Sequence, residues 1–308
     1  MAVAQDRLHP KARAIVDQLA GLPQLPTMSP TDARGRPEPL AAAPEAVGSV
    51  TARTIPGPGG PLPIRIYRPK DGLSGALVYF HGGGWVIGSL EGADATCRAL
   101  TNRSRCVVIS IGYRLAPETK FPGPVEDAFA AVRWVADGAG DLRIDPARIA
   151  VGGSSAGGNL AAVASLMARE RTGPRIALQL LHVPVMDHDF ETASYRENAT
   201  GRGLTRAAMQ WFWGHYAPDV ARRDEPYASP LGAKDLRGLP PAILVAAECD
   251  PLRDEGRAYA HRLRGDGVAV ATLEYPGMVH SFMSWSAVVA TARRAFVEVG
   301  AALRERLG

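Results

Sequence analysis

"IAVGGSSAGGNLAAVASLMARE", residues 149–170, passes from a continuous apolar stretch through a turn of small residues into a helical pattern. Gly153-Ser154-Ser155-Ala156-Gly157 fits G-x-S-x-G in the place that pattern requires, after a strand and before a helix. A serine displayed on so sharp a turn has strained backbone, and the residues two before and two after it must be tiny for strand and helix to pass closely. Ser155 has Gly153 and Gly157 at those two places, whereas Ser154 would have Gly152 and Ala156. Ser155 is therefore the expected nucleophile, with Ser154 as its neighbour. A turn of Gly, Ser and Ala also matches five positions by chance, so the chain must supply a base and a third group to hold it.

Further apolar runs lie at 63–69, 76–80, 106–113, 177–183, 242–247 and 268–275, and most are continuous instead of alternating. Continuous runs suit strands buried on both faces. Helical patterns at 91–103, 124–137, 156–170, 254–264 and 284–307 separate them, so the rhythm predicts an α/β fold with a mostly parallel central sheet flanked by helices. Residues 186–239 break it: no strong strand occurs, and 204–218 reads as a helix carrying Trp211, Phe212, Trp213 and Tyr216. An insertion of that size could lie over the sheet's edge as a lid or extend the core, and the lid is the favoured expectation. Residues 22–63, loaded with Pro, Ala and Gly, read as an extended connection, and 1–21 as an amphipathic helix.

At 308 residues and 46% hydrophobic, the chain can bury one large core. Lys and Arg number 35 against 31 Asp and Glu, without long blocks of either sign, which speaks against nucleic acid as a partner. No apolar stretch approaches the roughly 20 residues of a membrane span, and charges interrupt the N-terminal apolar runs as they would not in a signal peptide. Cys97, Cys106 and Cys249 form no C-x-x-C pair, so they read as reduced, buried thiols in a cytoplasmic protein. "HVPVMDHD" (182–189) lacks the spacing of a metal site, and no metal or cofactor is expected.

A serine at such a turn takes its acid and then its histidine from loops at the carboxyl ends of later strands. After "AILVAAE" comes "CDPLRDEG", which places Asp250 in one such loop; after "VATLEYPG" comes "MVHSF", which places His280 in the next. Glu248 lies closer to the strand, and Asp254 and Glu255 read as first-turn helix residues, where negative charge meets free N–H groups. "YFHGGGWVIGS" (79–89) supplies glycines whose amides can approach a substrate oxygen without Cβ interference. No Lys-Ser, Lys-Thr or G-x-G-x-x-G spacing makes this loop a nucleotide cradle.

With these residues assembled, the chain resembles the hormone-sensitive-lipase family of α/β hydrolases, in its microbial carboxylesterase branch. The resemblance runs through "HGGGWVIGSL" (81–90), "YRLAPETKFP" (113–122), "GGSSAGGNLA" (152–161), "SPL" (229–231), "LPPAILVAAECDPLRDEGRAYAHRL" (239–263) and "YPGMVHSF" (275–282). It implies an α/β-hydrolase fold with a helical cap: residues 1–45 as the N-terminal cap segment, 46–185 as the first part of the core, 186–239 as the cap insertion and 240–308 as the second part. It implies oxyanion donors at the amides of Gly83, Gly84 and Ala156, with His81 holding the loop, and small esters of short acyl chains as substrates. Many members dimerise, which makes a homodimer an expectation.

The expected activity is ester hydrolysis by Ser155, His280 and Asp250, with Trp85 and the aromatic group 211–216, Trp213 in particular, as candidates for an apolar pocket wall. The alternatives are a small-ligand receptor on the same fold, which need not keep His280, and an amidase or peptidase with the same triad. Two positions depart from the family pattern: Ser154 stands where Asp is usual, and Ser281 where Gly is usual.

Overall fold

In a computed structural model, residues 7–36, 43–72 and 74–308 are described. Eight strands among them form one sheet: β1 (Ser49–Gly57), β2 (Gly60–Arg68), β3 (Ala76–Phe80), β4 (Val107–Ile111), β5 (Ile149–Ser154), β6 (Leu178–His182), β7 (Ala242–Cys249) and β8 (Val270–Val279). The order across the sheet is β1-β2-β4-β3-β5-β6-β7-β8. β1 with β2 and β2 with β4 are antiparallel, and the remaining pairs are parallel. Every residue of β3, β4 and β6 is buried, because helices cover both faces.

The helices are α1 (Pro10–Ala20), α2 (Pro30–Arg34), α3 (Asp94–Ser104), α4 (Gly123–Asp137), α5 (Ala156–Glu170), α6 (Ala193–Glu197), α7 (Arg206–Tyr216), α8 (Arg253–Gly265) and α9 (Ala290–Leu307). Val78, Ile109, Val151 and Leu181 point to the face packed with α4, α5 and α8. Their neighbours Leu77, Val108, Ala150 and Leu180 point to the face packed with α3 and α9. This alternation within continuous apolar runs is what lets each strand serve two cores. α6 and α7 fall between β6 and β7 and, with the N-terminal helices, form a helical cap region at the carboxyl end of the parallel strands.

Two stretches differ from the sequence reading. Residues 49–57, read as part of an extended connection, form the edge strand β1, hydrogen-bonded to β2 in register from Ser49–Arg68 to Gly57–Gly60. Only Ile55 of β1 is buried, so the strand lacks the apolar run that marks the others. The last helix starts at Ala290 instead of 284, because Phe282–Trp285 forms a separate short 3-10 turn after left-handed Ser281. None of the three cysteines is in a disulfide, and all are buried. Among the described residues no helix is long and apolar enough to cross a membrane.

Candidate active site

β5 ends at Ser154 and α5 begins at Ala156, leaving Ser155 alone at the crossing with φ 57° and ψ −119°. The glycines explain how the chain turns there. A Cβ at Gly153 would strike the backbone of Gly157 and the Phe80 carbonyl, and one at Gly157 would strike the carbonyls of Phe80 and His81, all inside the 3.0 Å that real Cβ atoms avoid. The strained residue is fixed on both sides: the Ser155 amide donates to the His182 carbonyl at 2.9 Å, and its carbonyl accepts from the amides of Asn159 at 3.1 Å and Val185 at 3.2 Å. Such over-determination is what holds a non-glycine residue at positive φ.

Asp250 follows β7 and His280 follows β8. The Asp250 carboxylate is buried; its Oδ1 accepts from the Leu252 amide at 2.9 Å and its Oδ2 lies 2.8 Å from His280 Nδ1. A carboxylate on Nδ1 fixes the proton there and leaves the Nε2 lone pair free to face the cavity. Ser154, Ser155, His280 and Ser281 all line that cavity.

The competing acids are engaged elsewhere. Glu248 accepts from the Gly277 amide at 2.8 Å, Asp254 accepts from the Ser194 amide at 2.7 Å and pairs with Arg253, and Glu255 accepts from the Met186 amide at 2.9 Å. Asp254 and Glu255 stand in the first turn of α8 as expected; Glu255 is also buried, and that burial pushes its carboxyl well above the usual range. Of the other histidines, His9 caps α1, His188 lies beside Ser229 and Asp187, and His215 rests against Trp211. His182 lines the cavity close to His280, and burial first, then the nearby His280, pushes it down to about 3. Among the described residues no group of three or more His, Cys, Asp or Glu converges as metal ligands would.

The glycine loop follows β3. Gly83 and Gly84 have φ of 115° and 56°, and a Cβ at either would collide, at Gly83 with the Ile87 carbonyl and at Gly84 with the ring of Phe212 on α7. Their amides have no acceptor among the described residues, and the amide of Ala156, the first residue of α5, has none within its helix. Three N–H groups are thus left without a backbone acceptor among the described residues, and Gly83 and Gly84 line the same cavity as Ser155. His81 braces the loop: Nδ1 donates to the Gly82 carbonyl at 2.8 Å, the ring stacks on Tyr113 at 4.3 Å, and burial pushes the imidazole down to about 4, so it is neutral.

The cavity has a volume of about 670 Å³, and among the described residues its lining holds no Asp or Glu. Its walls correct the aromatic expectation. Trp85 and Trp213 do not line it: both are fully buried, Trp85 stacked on Tyr216 at 4.0 Å and meeting Trp213 edge-on at 4.9 Å. At φ 60° the backbone of Trp85 turns its side chain away from the glycines and into the cap. Of the expected aromatic group 211–216, Phe212 is the member that reaches the cavity. The sequence reading missed Leu204 and Thr205 of the insertion, His182 of β6, Met283 and Trp285 after His280, and Val16, Leu25 and Arg34 of the N-terminal segment. Only helical spacing marked any of these beforehand, and it gives no direction relative to a distant loop.

Comparison with known proteins agrees with this geometry. The family described as having the alpha/beta hydrolase fold matches residues 77–284. Carboxylesterase NlhH of Mycobacterium tuberculosis is 41% identical over 252 residues, spanning 80% of this chain and 79% of that protein. An ethyl acetate hydrolase of Pseudomonas putida is 40% identical over 254 residues, spanning 81% of this chain and 80% of that protein. The solved structure of a hyperthermophilic esterase from the archaeon Pyrobaculum calidifontis superposes with a TM-score of 0.91 at 42% identity, covering 97% of this chain and 98% of that one. The chain belongs to the α/β-hydrolase family. Within it, the protein is a serine-type carboxylesterase that hydrolyses esters.

Proposed function

We propose that Ser155, His280 and Asp250 carry this hydrolysis as a two-step acyl transfer, with the amides of Gly83, Gly84 and Ala156 as the oxyanion donors. The observation that supports it best is the joint placement of strained Ser155 and of His280, backed by Asp250 at 2.8 Å, in one cavity. His280 Nε2 takes the proton of Ser155 Oγ as the oxygen bonds to the ester carbonyl carbon, and the carbonyl electrons move onto its oxygen. The three amides donate to that oxyanion; Asp250, staying ionised, stabilises the imidazolium. The C–O bond to the alcohol breaks, His280 returns the proton to the leaving oxygen, and a water molecule repeats the sequence to free the acid and Ser155.

The finer reading places the chain in the hormone-sensitive-lipase family with short-chain esters as substrates, which the similarity to an ethyl acetate hydrolase supports. Residues 7–36, 43–45 and 186–239 act as the cap over a core of 46–72, 74–185 and 240–308; residues 1–6, 37–42 and 73 of the expected 1–45 and 46–185 lie outside the described residues. Buried cysteines outside any disulfide fit a cytoplasmic location, and light scattering in solution tests the expected homodimer. Initial rates on p-nitrophenyl esters from acetate to dodecanoate, with matched amides alongside, test the reading. Turnover that peaks at short chains and disappears in Ser155→Ala and His280→Ala is the expected result; amide turnover exceeding ester turnover would move the assignment to an amidase.

A further inference from the structure

We propose that Arg34 is a positioning residue for the oxyanion loop, so that seating the N-terminal segment and aligning the oxyanion donors are one event. The inference rests on the proposed role of Gly83 and Gly84. Arg34 is the last residue of α2, a short helix capped by Ser29, whose hydroxyl accepts from the Asp32 amide at 3.1 Å. Its guanidinium reaches away from its own segment. Nε donates to the Val86 carbonyl at 2.9 Å, and Nη2 donates to the Ala116 carbonyl at 2.8 Å. Nη1 and Nη2 also pair with the two carboxylate oxygens of Glu118 at 2.9 and 2.6 Å.

Those two carbonyls belong to the frame behind the glycine turn. The amides of Val86 and Ile87 donate to the Gly83 carbonyl at 3.0 and 2.9 Å, and the Ala116 amide donates to the Trp85 carbonyl at 2.8 Å. Val86 therefore connects forward to Gly83 through its amide and backward to Arg34 through its carbonyl. Gly83 and Gly84 lack the Cβ atoms by which other residues brace a turn, so their stiffness must come from such outside contacts. A planar guanidinium with donors on three nitrogens in a fixed fork spans two carbonyls and a carboxylate together, whereas the three donors of an ammonium radiate from a single nitrogen. In the same segment Val16, Leu25 and Ala33, together with Arg34 itself, form part of the cavity wall. Substrate covered by that wall and donors aligned by Arg34 thus depend on the same docked position.

The plainer account is an ion pair that only tethers the segment. Glu118 has a side chain 62% exposed, and a pair so open contributes little by itself. The two accounts separate experimentally. Wild type, Arg34→Ala, Arg34→Lys and Glu118→Gln are compared for kcat and KM on p-nitrophenyl acetate, for thermal midpoint, and for inhibition by a trifluoromethyl ketone whose hemiketal oxygen occupies the oxyanion position. A displaced donor costs on the order of ten- to a hundredfold in rate. Arg34→Ala and Arg34→Lys are expected to lose kcat in that range with KM within about threefold of wild type, and to weaken the ketone by a matching factor. Glu118→Gln, which leaves both carbonyl contacts possible, is expected to keep kcat within about threefold.

Full kcat in Arg34→Lys overturns the proposal, as does a loss in Glu118→Gln equal to that in Arg34→Ala. Should Arg34→Ala fail to fold, the lysine variant decides. A wild type inactive on every ester would overturn the functional reading and this inference together, whereas an active wild type with an equally active Arg34→Ala overturns this inference alone.

Discussion

Replacing Gly84 by Ala tests whether the glycine loop and the cap are in register for catalysis. Gly84 has φ 56°, where an L-residue costs about 1–2 kcal/mol, and the added methyl would overlap the Phe212 ring. Ordinary contact starts near 3.4 Å, so loop and ring must separate by about 1 Å. Phe212 is only 4% exposed and cannot simply swing out, so overpacking adds about 1–3 kcal/mol. If the loop yields, the Gly83 and Gly84 amides move by a distance that costs about 10² in rate, and up to 10³ if one donor is lost. The expected outcome is a kcat on p-nitrophenyl acetate lower by about 10²–10³, with a thermal midpoint lower by on the order of 5–10 °C. Phe212→Ala in the Gly84→Ala background removes the obstructing ring and should restore kcat at least about tenfold, whereas Phe212→Ala in the wild-type background has no clash to relieve. A Gly84→Ala variant within about threefold of wild-type kcat, or a double variant with no recovery, would refute the reasoning.

Ser155→Ala should reduce kcat by on the order of 10⁴ or more, and Ser154→Ala should remain active, which initial-rate assays of both variants decide. Asp250→Asn would keep its Oδ1 on the Leu252 amide and turn an NH₂ toward His280 Nδ1, forcing the proton to Nε2; kcat should fall by on the order of 10⁴ with the thermal midpoint little changed. Ser281 has φ 57°, so Ser281→Gly should raise stability by about 1 kcal/mol in denaturant melts; an unchanged or lower midpoint would show that the hydroxyl holds the turn. His81 and His182 are held at about 4 and about 3, below the ordinary 6.5. An unfolded chain protonates them below about 6.5 while the folded one does not, so stability should fall as pH drops from 6.5 toward 4, and His182→Gln should make that fall shallower in thermal melts.

The parts legible in the sequence were those written in local chemistry. Gly153 and Gly157 flank Ser155 because the crossing of β5 and α5 leaves no room for a Cβ, and Asp250 and His280 end strands whose apolar runs are unmistakable. The edge strand β1 was not legible, since its exposed residues carry no apolar pattern and it forms by pairing with β2. The pocket walls were also hidden: Trp85 looked like a wall beside the glycines, but one positive φ turns it into a stack with Tyr216. Arg34 gave no signal, because its meaning lies in two backbone carbonyls more than fifty positions away.

The nucleophile, the acid and the histidine come from the ends of β5, β7 and β8. A chain in which only β3, β4 and β5 were paired would hold its serine but neither the acid nor the histidine. Catalysis needs β8 paired with β7, the outermost parallel pair on that side of the sheet. Recovery of turnover after dilution from denaturant is therefore a clock for closure of the β8 edge, and its lag behind the return of helical circular dichroism measures how late that edge closes.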